Sequence, residues 1–171
     1  AVIPNPENYT WEAIAKRFSR PTGLAAPQDG SGRIFVLEQE GLIHVIQKGQ
    51  QLPVPFLDLR ERASTSGSNV RGLQGMTFHP KYAENGYFFV HYTQEGGDSV
   101  IARYQVSADP NLADPNSEER LLEISYPFGE HVGGGLATGP DGYLYISIGD
   151  GGKGGHGDAA GNAQNSETYL G

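Results

Sequence analysis

Cysteine is absent from all 171 residues of the chain. That excludes disulfides, thiolate-ligated zinc and thiol catalysis, and it leaves the compartment open. Positive charge is scarce as well. The 12 Lys and Arg against 20 Asp and Glu give a formal net charge of −8. A general nucleic-acid binder needs a basic face to displace counterions, so that class is excluded, and the acidity reads as a well-hydrated surface. Long apolar runs are also missing. None approaches the roughly 18 residues of a spanning helix, so no membrane span is expected, and no secretory leader opens the sequence. The first residue is Ala1 rather than Met, which suggests a processed or trimmed start and leaves export open.

Glycine and proline are plentiful, at 25 and 11 residues. They fall between apolar runs without a collagen period, so they read as turns rather than disorder. Residues 1–20 form a lead-in whose best helical hint is Trp11 to Phe18, where an extended strand is an equal reading. From Pro21 onward short alternating strands separated by turns take over.

Three segments then repeat one phrase. They are GLAAPQDGSGRIFVLE from Gly23, GMTFHPKYAENGYFFVHY from Gly75 and GLATGPDGYLYIS from Gly135. Each has a glycine, a few small or apolar residues, a proline, a polar turn ending in glycine, and an aliphatic-aromatic strand. The prolines Pro27, Pro80 and Pro140 recur at 53 and 60 residues. Further strands are expected at Gly41–Ile46, Ser99–Tyr104 and Arg120–Ile124, with loops at Lys48–Pro55 and Ala108–Glu118.

Four short antiparallel strands at such a period read as a β-propeller blade, because a lone blade cannot bury both faces of its sheet and must stack on neighbours. A β-sandwich has no reason to repeat one phrase three times. The expected fold is therefore all-β, a propeller with about three blades in residues 21–171. Since propellers close with about 4–8 blades, this is read as the first half of a domain, its remaining half missing or supplied by another chain.

Of the five histidines, His44 and His91 read as structural or solvent-facing, His79 as part of a turn, and His156 as exposed in a flexible glycine-rich loop. His131 differs. It stands just before the third repeat, beside Glu130 and followed by Val132 and three glycines, which allow close approach of backbone or ligand. In a propeller that position is near the mouth of the central channel. Imidazole titrates near neutrality, which suits a general base; a plain turn histidine is the other reading.

Asp150 follows the third repeat's strand and could orient His131 and stabilise its protonated form, or simply cap its own turn. The two stand at opposite ends of one hairpin's sequence, so their contact is expected to need a following strand or loop that folds back. The loop 149–165 lacks the Lys-Ser/Thr of a phosphate loop and only partly resembles a calcium-binding glycine repeat, with Asp150 and Asp158 its few carboxylates. It reads most simply as a mobile loop over a pocket. By the pseudo-symmetry of blades, Arg71 in the segment before the second repeat also faces the channel mouth, where it could pair with a carboxylate.

The run His131-Val-Gly-Gly-Gly-Leu-Ala-Thr-Gly-Pro-Asp-Gly-Tyr-Leu-Tyr-Ile-Ser-Ile-Gly-Asp-Gly-Gly152 closely resembles the glucose/sorbosone dehydrogenase family. Arg71 to Pro80 with Glu84-Asn-Gly86, and Gly161 to Asn165 with Leu170-Gly171, resemble it too, so that the likeness spans about residues 18–171. The resemblance implies a six-bladed propeller that oxidises the anomeric hydroxyl of an aldose sugar to a lactone with pyrroloquinoline quinone (PQQ). It implies His131 as the base, Asp150 as its support, and Arg71 as a candidate cofactor contact. It also implies a bridging Ca²⁺ held mainly by the second half, an external electron acceptor, and a periplasmic or secreted location. The sequence departs from the family at Val70, Val132 and Gly135, where polar residues are common. The family also includes propellers with protein-binding roles, so a non-catalytic binding or structural module is the alternative.

Overall fold

The computed structural model describes residues 5–152, 157–158 and 161–170. Two complete antiparallel sheets and the opening hairpin of a third follow one another along the chain. The first sheet runs β1 (Pro21–Ala25), β2 (Ile34–Glu38), β3 (Leu42–Gln47), with the short strands β4 (Gln50–Gln51) and β5 (Leu57–Asp58) both paired to β3. Its outermost strand is broken because Pro53 and Pro55 have no N–H to donate to the ladder. On either side of them Leu52 and Phe56 still donate to Val45 and Ile43.

The second sheet runs β6 (Leu73–Phe78), β7 (Tyr87–Thr93), β8 (Ser99–Val106), β9 (Ala113–Ile124). A short helix, α1 (Tyr82–Asn85), sits between its first two strands and ends on Gly86 in the left-handed conformation. The third sheet is the hairpin β10 (Leu136–Thr138) and β11 (Leu144–Ile146). Each repeat of the sequence thus supplies the first two strands of its sheet.

The first strands of successive sheets lie side by side, β1 against β6 and β6 against β10. They share no ladder and are joined by threonines: Thr22 Oγ1 donates to the Leu73 carbonyl at 2.8 Å, and Thr138 Oγ1 to the Phe78 carbonyl at 3.0 Å. This is the inner wall of a propeller. The middle blade is covered on both faces, which is why β7 reads as a nearly unbroken apolar run and is buried along its length. Between the first two blades an aromatic cluster interleaves Phe35 and Phe56 with Phe78 and Phe88, ring centroids 4.8 to 5.0 Å apart for the pairs Phe35–Phe56, Phe35–Phe78 and Phe56–Phe88. A smaller core of Ile101, Ile124, Tyr126 and Val132 joins the second blade to the third.

Three expectations change. Residues Trp11 to Phe18 are neither helix nor strand; the only regular element of the described lead-in is a 3₁₀ turn at Pro6–Asn8. Trp11 and Ile14 are exposed and only Phe18 reaches the first blade, at His44, so a short helix there would bury too little of an apolar face to hold itself together. The segment 108–118 is a loop only in its first part, because β9 begins at Ala113 and carries register shifts that absorb its polar Asp114-Pro-Asn run. Likewise β4 lies inside the segment read as the loop 48–55.

Candidate functional site

The third hairpin pairs Leu136 with Ile146 and Thr138 with Leu144 around the tight turn at Pro140–Gly142. Its two arms stay together beyond the strands. Ser147 N–H donates to the Gly135 carbonyl at 2.9 Å, Gly134 N–H to the Ser147 carbonyl at 3.1 Å, and Gly151 N–H to the His131 carbonyl at 3.4 Å. His131 and Asp150 therefore finish on facing arms, with His131 Nδ1 3.0 Å from Asp150 Oδ1. No later strand has to fold back to bring them together. The approach is close enough that a Cβ at Gly149 would collide with the His131 carbonyl oxygen.

Asp150 Oδ1 also accepts from the Gly152 N–H at 2.8 Å. That backbone bond, and then the bond from His131, hold the Asp150 carboxyl below the ordinary carboxylate range. A carboxylate can only accept, so the shared proton sits on Nδ1 and the other ring nitrogen, Nε2, is left as the basic one. The pair is open to solvent, with the His131 side chain 40% and the Asp150 side chain 23% exposed. His131 also has a left-handed backbone, φ 50°. Histidine visits that region more readily than most residues, but still at a cost relative to glycine.

Arg71 lies in the lead-in to the second blade. Its Nε donates to the Gly129 carbonyl and its Nη1 to the Ser66 carbonyl, each at 2.8 Å. The expected carboxylate partner is thus replaced by two backbone carbonyls. They lie outside the ladders, and the guanidinium fork reaches both. The bond to Gly129 ties the second blade's lead-in to a point two residues before His131.

The departures at Val70, Val132 and Gly135 fall in different places. Val132 is buried in the core between the second and third blades, and its carbonyl accepts from the Tyr126 hydroxyl at 2.7 Å. The Ser147 hydroxyl lies 2.7 Å from where a Cβ at Gly135 would be, and it accepts from the Gly135 N–H at 3.1 Å. Val70 and Gly135 are both exposed, and Val70 is the one that presents an apolar side chain there. A groove of about 570 Å³ runs along the inner strands, lined among others by Ala25, Gln28, Phe78, His79, Thr138 and Pro140. His131 and Asp150 do not line it.

The profile of the family described as Glucose / Sorbosone dehydrogenase matches residues 18–171. The chain belongs to that family. Among its relatives, human Hedgehog-interacting protein is 35% identical over 153 residues, covering 82% of this chain and 22% of the relative. The HIPL1 protein of Arabidopsis thaliana is 31% identical over 191 residues, covering 84% of this chain and 27% of the relative. Among solved structures, a putative oxidoreductase (glucose dehydrogenase) from Thermus thermophilus superposes with TM-score 0.66 at 25% identity, over 81% of this chain and 39% of that one. The PQQ-bound aldose sugar dehydrogenase of Streptomyces coelicolor does so with TM-score 0.67 at 23% identity, over 83% and 41%. The chain thus spans about a quarter of these curated relatives and two fifths of these structures. Its sheets are part of a β-propeller.

In this member of the glucose/sorbosone dehydrogenase family the other described histidines lie away from the His131–Asp150 pair in sequence and have their own neighbours. His79 Nδ1 accepts from Lys81 N–H at 2.9 Å and closes the turn before α1. His44 Nε2 is 3.3 Å from Glu38 Oε2, and Glu38 also accepts from the Ser19 N–H at 2.6 Å. His91 does not end its strand, which runs on to Thr93, and it is completely buried. His156 lies outside the described residues. Two residues escaped sequence reasoning: Ser147, which fills the space beside Gly135, and Asn162, whose amide reaches back to Asp150. Pairing the arms outward from Leu136 and Ile146 would have pointed to the first. Among the described residues no three His, Asp or Glu side chains gather as a metal site, and no helix is long and apolar enough to cross a membrane.

Proposed function

We propose that this chain is the base-bearing part of a propeller that oxidises an aldose sugar at its anomeric carbon to the lactone. The observation that carries the reading is the 3.0 Å His131–Asp150 contact at the open end of the third hairpin. His131 Nε2 takes the proton of the anomeric hydroxyl, while Nδ1–H stays on Asp150, whose charge stabilises the imidazolium that forms. The left-handed backbone at His131 supports the assignment, because strain of that kind collects at functional positions.

PQQ, when bound, supplies the two-electron acceptor for the hydride. The described residues of this chain fit it in part: among them Arg71 is the cation near the His131 end, with Nε and Nη1 committed to carbonyls, so a cradle for a tricarboxylate would come chiefly from further blades. We propose that those blades, together with Ca²⁺, complete the site in a six-bladed ring. Residues 21–171 would form its first half behind the lead-in 1–20. The new blades would cover the exposed Tyr143 and Tyr145 of the third sheet. An external acceptor reoxidises the cofactor, and the protein acts outside the cytoplasm, secreted or in a periplasm.

The test is aldose-dependent dye reduction by the full-length protein with PQQ and Ca²⁺, with His131→Ala as control. Turnover that disappears in the variant supports the reading; absence of both PQQ binding and turnover on any aldose sinks it. The second reading is a non-catalytic binding propeller, favoured by the 35% identity to a protein named for interacting with Hedgehog and by the exposed apolar Val70. Its support would be a protein ligand bound without PQQ.

A further inference from the structure

Asp150 stands at the weak end of its hairpin. The last bond between the arms, Gly151 N–H to the His131 carbonyl, is long at 3.4 Å. Gly151 packs against Tyr126, Pro127 and Leu170, and the described part of the following loop adds a hydrogen bond to Asp150 itself. The Asn162 side-chain amide donates to the Asp150 main-chain carbonyl at 3.0 Å. A carbonyl only accepts, so the carboxamide is oriented with its NH₂ toward Asp150.

Asn162 is itself fixed. The Asp158 carboxylate accepts from the Asn162 N–H at 2.7 Å through one oxygen and from the Ala163 N–H at 2.6 Å through the other. The Gly161 N–H donates to the Asp158 carbonyl at 3.2 Å. The amide is therefore presented from backbone that Asp158 holds through three N–H groups, those of Gly161, Asn162 and Ala163. Asp150 is held on two sides, its carboxylate by Gly152 and His131 and its carbonyl by Asn162.

We infer that Asn162 is a positioning residue, which fixes Asp150 and through it the ring orientation of His131. This rests on the reading of His131 as a base. Without the tether the arm bearing Asp150 can swing, and the carboxylate drifts from both Gly152 N–H and His131 Nδ1. A displacement of about 1 Å at a reacting group can cost on the order of 10²-fold in rate. Removing one tether among several is expected to cost less, on the order of tenfold, as outer-shell partners commonly do.

Two measurements on the full-length protein test this. The first follows the Asp150 side-chain carboxyl by ¹³C NMR as pH is varied, without cofactor. In the parent protein it titrates below the ordinary carboxylate range; in Asn162→Ala it moves up toward that range, and Asn162→Gln, which keeps the donor on a longer arm, recovers much of the difference. The second is dye reduction with PQQ and Ca²⁺, where Asn162→Ala lowers kcat about tenfold with KM nearly unchanged. Should the alanine variant not fold by circular dichroism, Asn162→Ser, too short to reach the carbonyl, takes its place. An Asp150 titration that is the same with and without the Asn162 amide overturns the inference. Absence of turnover in every protein overturns the functional reading instead, and the titration still decides the role of Asn162.

Discussion

Gly75 and Gly134 meet backbone to backbone where the second blade's inner strand passes the lead-in of the third: a Cβ on Gly75 would overlap the Gly134 carbonyl oxygen. The glycine run before the third repeat is crowded as well: a Cβ on Gly133 would meet the Ser147 carbonyl, on Gly134 the Gln74 side chain and on Gly135 the Ser147 hydroxyl. Two main chains approach with no side chain between them, and His131 is carried at a set distance from the second blade.

Gly75→Ala is therefore expected to be destabilising, although the backbone at Gly75 is one any residue adopts. The added methyl meets a backbone atom that cannot rotate away. A loss of about 2 kcal/mol follows from overpacking at a rigid contact. Thermal unfolding of the full-length protein checks it, and an unchanged midpoint would mean that the blades separate freely.

The buried His91 makes stability depend on pH. Its Nε2 lies 2.9 Å from Ser99 Oγ, while its Nδ1 makes no hydrogen bond of ordinary geometry, although the Gly134 backbone lies beside it. Burial pushes it down from 6.5 to about 4. Between those values the unfolded chain binds the extra proton and the folded one does not. The effect is nil above about pH 6.5 and grows as pH falls toward 4, reaching about 3 kcal/mol of lost stability. Denaturant unfolding at pH 7 and pH 4.5 should show the loss, and His91→Gln should show a shallower one.

Phe88 is completely buried and touches both blades' rings, 5.0 Å from Phe56 and 5.8 Å from Tyr104 between centroids. Phe88→Ala should cost about 3–5 kcal/mol. Combined with Phe56→Ala the losses should not add, since the two residues share one cavity. Additive losses in a double-mutant cycle would show that the blades do not pack through this cluster.

Asp150→Asn keeps an oxygen for Gly152 N–H and for His131 Nδ1–H, and it removes only the charge. If the carboxylate stabilises an imidazolium, kcat should fall by about 10² while KM changes little. Because the Asp150 carboxyl titrates below its ordinary range, its ionisation should not limit the rate between pH 5 and 8 (about one unit or more above the usual carboxylate value). An acid limb that rises in that window and vanishes in Asp150→Asn would contradict the assignment.

The blades were legible because the Gly–Pro–turn–strand phrase records one chain path, walked three times. The first two strands of every sheet follow it, from Pro21–Ala25 to Leu144–Ile146. Outside the phrase the signal weakens. Trp11 to Phe18 has helical residues but leaves Trp11 and Ile14 exposed, only Phe18 reaching a ring of the first blade, and the polar start of β9 is strand because β8 offers a partner and bulges take up Pro115. The His131–Asp150 contact was hidden for a different reason. Nineteen residues separate them, and only the hairpin's register shows that this distance closes within the hairpin itself. Nothing in the pattern around His91 distinguishes a strand's end from a blade's interior, because burial there depends on the neighbouring blade.

The left-handed backbone at His131 sets what the hairpin prefers against the role proposed for its imidazole. Glycine would relieve the strain by roughly 1 kcal/mol, so a population of this gene selected for heat resistance alone should drift toward His131→Gly. Such survivors would outlast the parent at high temperature and yet be silent with sugar and dye. Sequencing that one codon in a heat-selected library would show whether robustness and chemistry pull in opposite directions here.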